Sequence, residues 1–148
     1  MSKSPAVPFA TTLLIRDTCL CLHMQRAARA LARRFDEALR PVGLTNGQFS
    51  LLMSLNRPHP PQMRAVAALL AMDRTTLTAA LKPLERRGLL SVATDPADRR
   101  GRLLTLTPDG MALLLRAVPI WERTHAAVEA ELYATNSEQL RQTLRALA

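Results

Sequence analysis

Apolar side chains recur at three- and four-residue spacing at Leu20, Met24, Ala28, Leu31, Phe35 and Leu39, while Arg26, Arg29, Arg33, Arg34 and Arg40 mostly take the other side. That period predicts one long amphipathic helix over about residues 11–40, ended by Pro41 and Gly43. LTNGQFSLLMSL opens a second helix on a capping box, in which Thr45 accepts from the amide of Gln48 and the Gln48 side chain reaches back. The prolines of NRPHPPQ stop it, because a residue without an N–H cannot continue a helix. MRAVAALLAM is a short third helix. Asp73 caps a fourth, RTTLTAALKPLERRG, which ends at Gly88. Its buried stripe is Leu77, Leu81 and Leu84, leaving Arg74, Thr75, Thr78, Ala79 and Lys82 facing out.

The period then changes to two. LLSVAT and RLLTLT alternate like strands with one covered face, so the charged DPADRRGR between them is expected to be a loop thrown out from a hairpin. Pro108 sits at a first helical position after a Thr107 cap and starts a helix running past Trp121 to about Tyr133. A last helix follows the box TNSE (Thr135, Glu138), with Leu140, Leu144 and Leu147 on one face. The fold class is therefore mainly α (α+β). Two short helices joined by a tight turn and followed by a basic hairpin make a winged helix-turn-helix. The outer face of the second helix is small, hydroxylated and basic, and suits a major groove.

Charge sharpens this picture. The chain of 148 residues carries 20 basic and 12 acidic side chains, a formal excess of +8, which favours an anionic partner. Residues 1–46 hold seven basic and three acidic groups, residues 57–102 nine and four, and residues 103–148 four and five. The excess thus lies in the first two thirds. No apolar run reaches the roughly 18 residues that cross a bilayer, and the start MSKSPAVPFATTLLIRD does not read as a secretory signal. Cys19 and Cys21 give no disulfide framework, so a reducing cytoplasm is expected. Phosphate-cradling glycine loops, H-E-x-x-H and a nucleophile elbow are all missing, so no enzymatic activity and no cofactor are expected. A protein-binding winged helix with weakened DNA contacts is the rival, supported by Ala79 and the non-basic strand 89–94.

The segments LTNGQFSLL, DRTTLTAALKPLERRGLL and DPADRRGRLLTLTPDG resemble the MarR family of bacterial transcription regulators. The likeness covers nearly the whole chain and is most specific in the wing, where Asp98 and Arg100 precede LTLTPDG. The resemblance implies an obligate homodimer that binds a pseudo-palindromic double-stranded DNA operator. It also implies repression relieved by a small anionic or phenolic effector or an oxidant. Residues 1–10 are then a disordered N-terminus, 11–44 an N-terminal dimerisation helix, 45–107 the DNA-binding lobe and 108–148 the C-terminal dimerisation helices. Ala79 departs from the family, many of whose members carry an Arg there. Pro83 removes one bond deep in the recognition helix and is expected to kink it.

Roles follow for particular residues. Arg100 is the candidate for a minor groove, whose negative potential attracts a guanidinium, with Asp98 holding it or bracing the loop. Arg99 and Arg102 would take phosphates. Arg74, Thr75, Thr76, Thr78 and Lys82 form the candidate recognition face: a Thr contacts a thymine methyl or a phosphate, and Arg or Lys reads a guanine edge. Arg86 and Arg87 would serve the helix C-terminus and its dipole. Met24, Phe35 and Trp121 are candidates for an effector cleft, with Pro119 kinking its helix nearby. LCLHMQRAARAL is similar to the segment around the reactive cysteine of the family's organic-peroxide-sensing branch, which makes Cys21 the candidate redox residue. That branch places tyrosines where this chain has Gln25 and Phe35, so Cys21 is expected to be buried and inert. Cys19 and His23 share a helix face at a metal-ligand spacing, yet two ligands make no site and packing is the expected role.

Overall fold

The helix expected over residues 11–40 is two helices, α1 at Phe9–Thr18 and α2 at Leu20–Leu39. The break falls at Cys19, whose backbone turns to φ −67°, ψ 109°. Just before it, the Thr18 hydroxyl donates to the Leu14 carbonyl at 2.6 Å, a local side-chain bond that competes with the helix ladder. Periodicity missed the break because Leu20 and Met24 keep the same apolar spacing beyond it. The structure, a computed structural model, describes residues 4–148. Of the disorder expected over residues 1–10, residues 1–3 fall outside the described residues, residues 4–8 carry no regular secondary structure, and Phe9 and Ala10 are instead the start of α1.

The chain forms two compact units that divide between Arg34 and Phe35. In the first, no described residue of α1 or of the α2 portion is buried, and Leu14 and Leu20 are 61% and 71% exposed. The apolar stripe read from the sequence has no cover inside this unit.

The second unit holds the core. Leu39, fully buried, ends α2, and a 3-10 turn at Arg40–Val42 leads into Gly43 at φ 70°, a left-handed conformation that glycine adopts without a Cβ clash. Asp36 Oδ1 accepts from both Asn46 N at 2.7 Å and Asn46 Nδ2 at 2.8 Å, fastening the end of α2 to the start of α3, Asn46–Leu55. Those bonds, the backbone one first, hold the Asp36 carboxyl below its ordinary pKa. The capping box forms as expected: Gln48 N donates to Thr45 Oγ1 at 3.2 Å, and Thr45 N to Gln48 Oε1 at 3.1 Å. Helices α4 (Met63–Leu69) and α5 (Arg74–Arg86) follow, then strands β1 (Leu90–Asp95) and β2 (Asp98–Leu106), then α6 (Pro108–Glu131) and α7 (Ser137–Leu147). Leu51, Leu52, Val66, Leu77, Leu81, Leu84, Leu90, Leu104, Leu114 and Ala117 meet in one core. Each buried leucine or valine contributes on the order of 1.5–3 kcal/mol relative to exposure, so α5 is held mainly by its leucine stripe.

One detail differs from expectation. Asn136, not Thr135, caps α7, accepting from Gln139 N at 3.0 Å. The side chain one residue nearer the helix wins because its oxygen reaches the third amide. α5 continues through Pro83 to Arg86. Proline removes its own N–H and crowds the carbonyl four residues before it, yet the helix runs on, and the carbonyl of Pro83 accepts from Arg87 N at 3.2 Å.

Candidate nucleic-acid interface

The interface is built on α5. Asp73 Oδ1 accepts from Thr76 N at 2.7 Å, satisfying an amide at the helix start, and that bond holds the Asp73 carboxyl below its ordinary pKa. Thr76 therefore contributes its amide to the cap. Leu77, Leu81 and Leu84 point into the core, so Arg74, Thr75, Thr76, Thr78, Ala79 and Lys82 are left exposed, as the stripe required. Thr78 Oγ1 donates to the Arg74 carbonyl at 2.8 Å. Its proton is used inside the helix, although the residue itself is exposed.

The wing differs from the simple loop that was expected. β1 and β2 pair antiparallel from Leu90↔Leu106 to Thr94↔Arg102, and the next pair is Asp95↔Asp98. The hairpin tip is only Pro96 and Ala97, and the charged residues from Asp98 onward belong to β2. Arg99, Arg100 and Gly101 fall between two paired positions and form a bulge, which turns the arginines out of the ladder. Strand alternation could not show this, because the bulge lies beyond the alternating residues.

Three contacts fix the bulge. Asp98 Oδ1 accepts from the backbone N–H of Arg100 at 3.0 Å, so Asp98 braces the backbone rather than gripping the guanidinium. Arg102 Nη1 donates to the carbonyls of Arg99 at 3.3 Å and Gly101 at 3.1 Å. Arg102 is half-buried, with Nη1 committed to the wing and Nε and Nη2 making no hydrogen bond among the described residues. Buried Asp95 takes Ala97 N at 2.9 Å on one oxygen and Gln62 Nε2 at 2.7 Å on the other. The Ala97 and Gln62 bonds, with the nearby charge of Arg64, set its carboxyl below the ordinary range.

Gln62 belongs to a connection that the sequence marked only as a turn. Leu104 N donates to the Pro61 carbonyl at 3.0 Å, and Gln62 bridges Leu103 across β2. The chain between α3 and α4 thus makes a rudimentary third strand that ties the wing to the helices. Arg64, Arg74, Arg100 and Arg102 line an open cleft of about 460 Å³ between α4 and the wing. Arg64 was not singled out from the sequence, where it reads as one polar position in an apolar helix. Arg87 Nη1 donates to the Gly43 carbonyl at 2.9 Å, clasping the turn before α3 rather than its own helix end.

Of the candidate effector residues, Phe35 and Trp121 lie in the second unit and Met24 in the first. Trp121 stacks on His125, with centroids 4.6 Å apart, and on Phe49 at 6.3 Å, both with planes 17° apart. With Phe49, Met53, Leu69 and Val118 it lines a second open cavity of about 460 Å³. Phe35 is half-buried and does not line it, and Met24 lies in the first unit. The expectation of a buried Cys21 is wrong. Cys21 is exposed, and its Sγ accepts from Gln25 Nε2 at 3.1 Å, while Cys19 is half-buried. The α2 face that was to bury it finds no cover in its own unit. His23 Nδ1 lies 2.8 Å from the Cys19 carbonyl oxygen.

Comparison with known proteins gives consistent matches. The model of the MarR family matches residues 44–101, from the start of α3 to the wing bulge. The organic hydroperoxide resistance transcriptional regulator of Bacillus subtilis is 29% identical over 101 residues, which cover 68% of this chain and 69% of that protein. The transcriptional regulator MosR of M. tuberculosis, solved in complex with DNA, is 38% identical with a TM-score of 0.74, over 88% of this chain and 93% of that one. CouR from Rhodococcus jostii, solved bound to p-coumaroyl-CoA, is 26% identical with a TM-score of 0.76, over 88% and 92% of the two chains. None of the described helices is long and apolar enough to cross a membrane.

Proposed function

This chain belongs to the MarR family of transcriptional regulators, and we propose that it binds a pseudo-palindromic DNA duplex as a homodimer, one winged lobe to each half-site. The convergence of Arg64, Arg74 and Arg100 around the cleft between α4 and the wing carries this reading, since it places cations beside the outer face of a capped recognition helix. α5 enters the major groove with Arg74, Thr75, Thr78 and Lys82. Arg100 on the bulge reaches the adjacent minor groove, and Arg99 takes a phosphate.

Residues 45–107 form the DNA lobe, and 11–44 with 108–148 supply the dimer arms. Exposed apolar side chains on α1 and α7 support that division: Leu14 is 61%, Ile15 53% and Leu147 64% exposed. Leu39, expected among these dimer contacts, is instead part of the core and committed there. Two copies would cover such faces in an isologous contact.

The protein represses in this reading and releases DNA when a small anionic or phenolic effector enters the cavity beside Trp121, where an aromatic ring can stack. A similar protein was solved with an aromatic acyl thioester, which supports that ligand class. It works in the cytoplasm and carries out no reaction of its own.

The test is selection of duplexes from a random pool by the full-length protein, with its mass in solution measured alongside. A two-fold-related consensus of about 20 base pairs bound by a dimer is expected. A monomer, or a pool that never enriches, would leave the protein-binding winged helix as the better reading.

A further inference from the structure

The first unit carries a second basic surface that the DNA lobe does not use. On α2, Arg26, Arg29 and Arg33 are all exposed and border one shallow depression floored by Ala27 and Ala30. At 3.6 residues per turn they lie within about 60° of arc and span about 10 Å of the helix axis. No acidic residue occurs between Thr18 and Phe35. Arg26 and Arg33 make no ion pair or side-chain hydrogen bond with the described residues, and Arg29 donates only to neutral Gln25 at 3.3 Å. Like charges three and four residues apart weaken a helix. Elsewhere the chain neutralises such positions, as where Arg141 meets Glu129 at 2.7 Å and Glu138 at 3.0 Å.

We propose that Arg26, Arg29 and Arg33 form a phosphate-binding surface that takes a ligand carrying two or three phosphate groups. Guanidinium groups bind phosphate oxygens in bidentate pairs, and the alanine floor lets such a group approach the helix between them. The same chemistry has two sources: the backbone of the bound duplex, or the phosphates of a small organic ester. The proposal stands apart from the wing reading, because it needs no contact of α5 or Arg100.

The test is arginine footprinting of the full-length protein with phenylglyoxal, mapped by mass spectrometry, with tripolyphosphate in one arm and the selected duplex in the other. Tripolyphosphate is expected to protect Arg26, Arg29 and Arg33 together and not Arg16, an exposed arginine already paired with Asp17 at 2.7 Å. Modification of the three at an unchanged rate, or protection equal to that of Arg16, overturns the proposal. Protection by the duplex as well assigns the phosphates to DNA. The triple variant Arg26→Gln, Arg29→Gln, Arg33→Gln should then flatten the slope of log affinity against log salt by about 0.9 for each phosphate no longer neutralised. Protection by tripolyphosphate alone, with the slope unchanged, assigns them to a small phosphate ester. Binding of the unmodified protein to its duplex reports the DNA reading separately.

Discussion

The three arginines of the wing do different work although they sit within four residues. Arg99 is exposed and its guanidinium makes no hydrogen bond or ion pair among the described residues, whereas Arg102 folds onto the carbonyls of Arg99 and Gly101. Arg99→Ala is expected to lower the salt slope of DNA binding by about 0.9 for each phosphate it leaves without a cation. Arg102→Ala should weaken binding by loosening the bulge while leaving the slope nearly as it was. Anisotropy titrations at several salt concentrations separate the two, and an equal fall in slope for both variants would return Arg102 to the phosphates. Thr78 has already spent its proton on the Arg74 carbonyl. Thr78→Ala is therefore expected to relax base preference within each half-site, by about 1–3 kcal/mol per contacted pair, with no change in salt slope. Competition between consensus and singly substituted duplexes measures it. The outward set on α5 was legible because leucine spacing alone says which side is buried. The roles of Asp98 and Arg102 were not, because composition does not show whether a side chain bonds backbone or solvent. Cys21 was misjudged for a related reason: apolar neighbours in sequence imply burial only where another surface covers them.

Among the elements, the wing depends on joints outside itself. Thr107 donates its hydroxyl to the Gly88 carbonyl at 2.6 Å and accepts from Gly110 N at 3.0 Å, locking the end of β2 and the start of α6 to the turn after α5. Gly110 has no room for a side chain: a Cβ there would lie 2.1 Å from the Leu89 carbonyl oxygen and 2.8 Å from Leu106 Cδ1. Gly110→Ala should destabilise the fold by about 1–3 kcal/mol through overpacking. Urea unfolding followed by circular dichroism checks this, and an unchanged midpoint would contradict the packing described. Asp95 ties the tip to Gln62, and its folded pKa lies below the ordinary aspartate value of about 3.9. A carboxyl shifted that way contributes stability above the ordinary value and loses it as pH falls through the folded one. Asp95→Asn should therefore melt below the unaltered protein at pH 7, with the gap closing as pH falls below about 4. A gap constant down to pH 3 would show that the carboxylate charge is irrelevant. The order of helices and strands was readable from caps, prolines and the change of period. The break at Cys19 and the bridge from Pro61–Gln62 to β2 were not, since one depends on a single backbone angle and the other on residues about 40 positions apart.

For the whole molecule, the uneven charge read from the sequence has a structural counterpart in two basic surfaces, one on the winged lobe and one on α2. Apolar side chains are left exposed on α1 and α7, and in the proposed dimer they would pair two lobes. If each dimer presents two wings, one side chain is duplicated at both ends of the bound site, and a single substitution acts at both ends at once. Arg100 is that side chain. It is exposed on the bulge, its backbone is held by Asp98, and a guanidinium so placed should favour the narrow minor groove of A·T-rich DNA. The decisive measurement is the affinity of the unaltered protein and of Arg100→Ala for one selected duplex carrying either A·T-rich or G·C-rich flanks. The variant should lose affinity on both duplexes, and more on the A·T-rich one, while folding normally by circular dichroism. An Arg100→Ala protein that binds both duplexes like the unaltered protein would mean that the wing is a solvated turn and not part of the DNA interface.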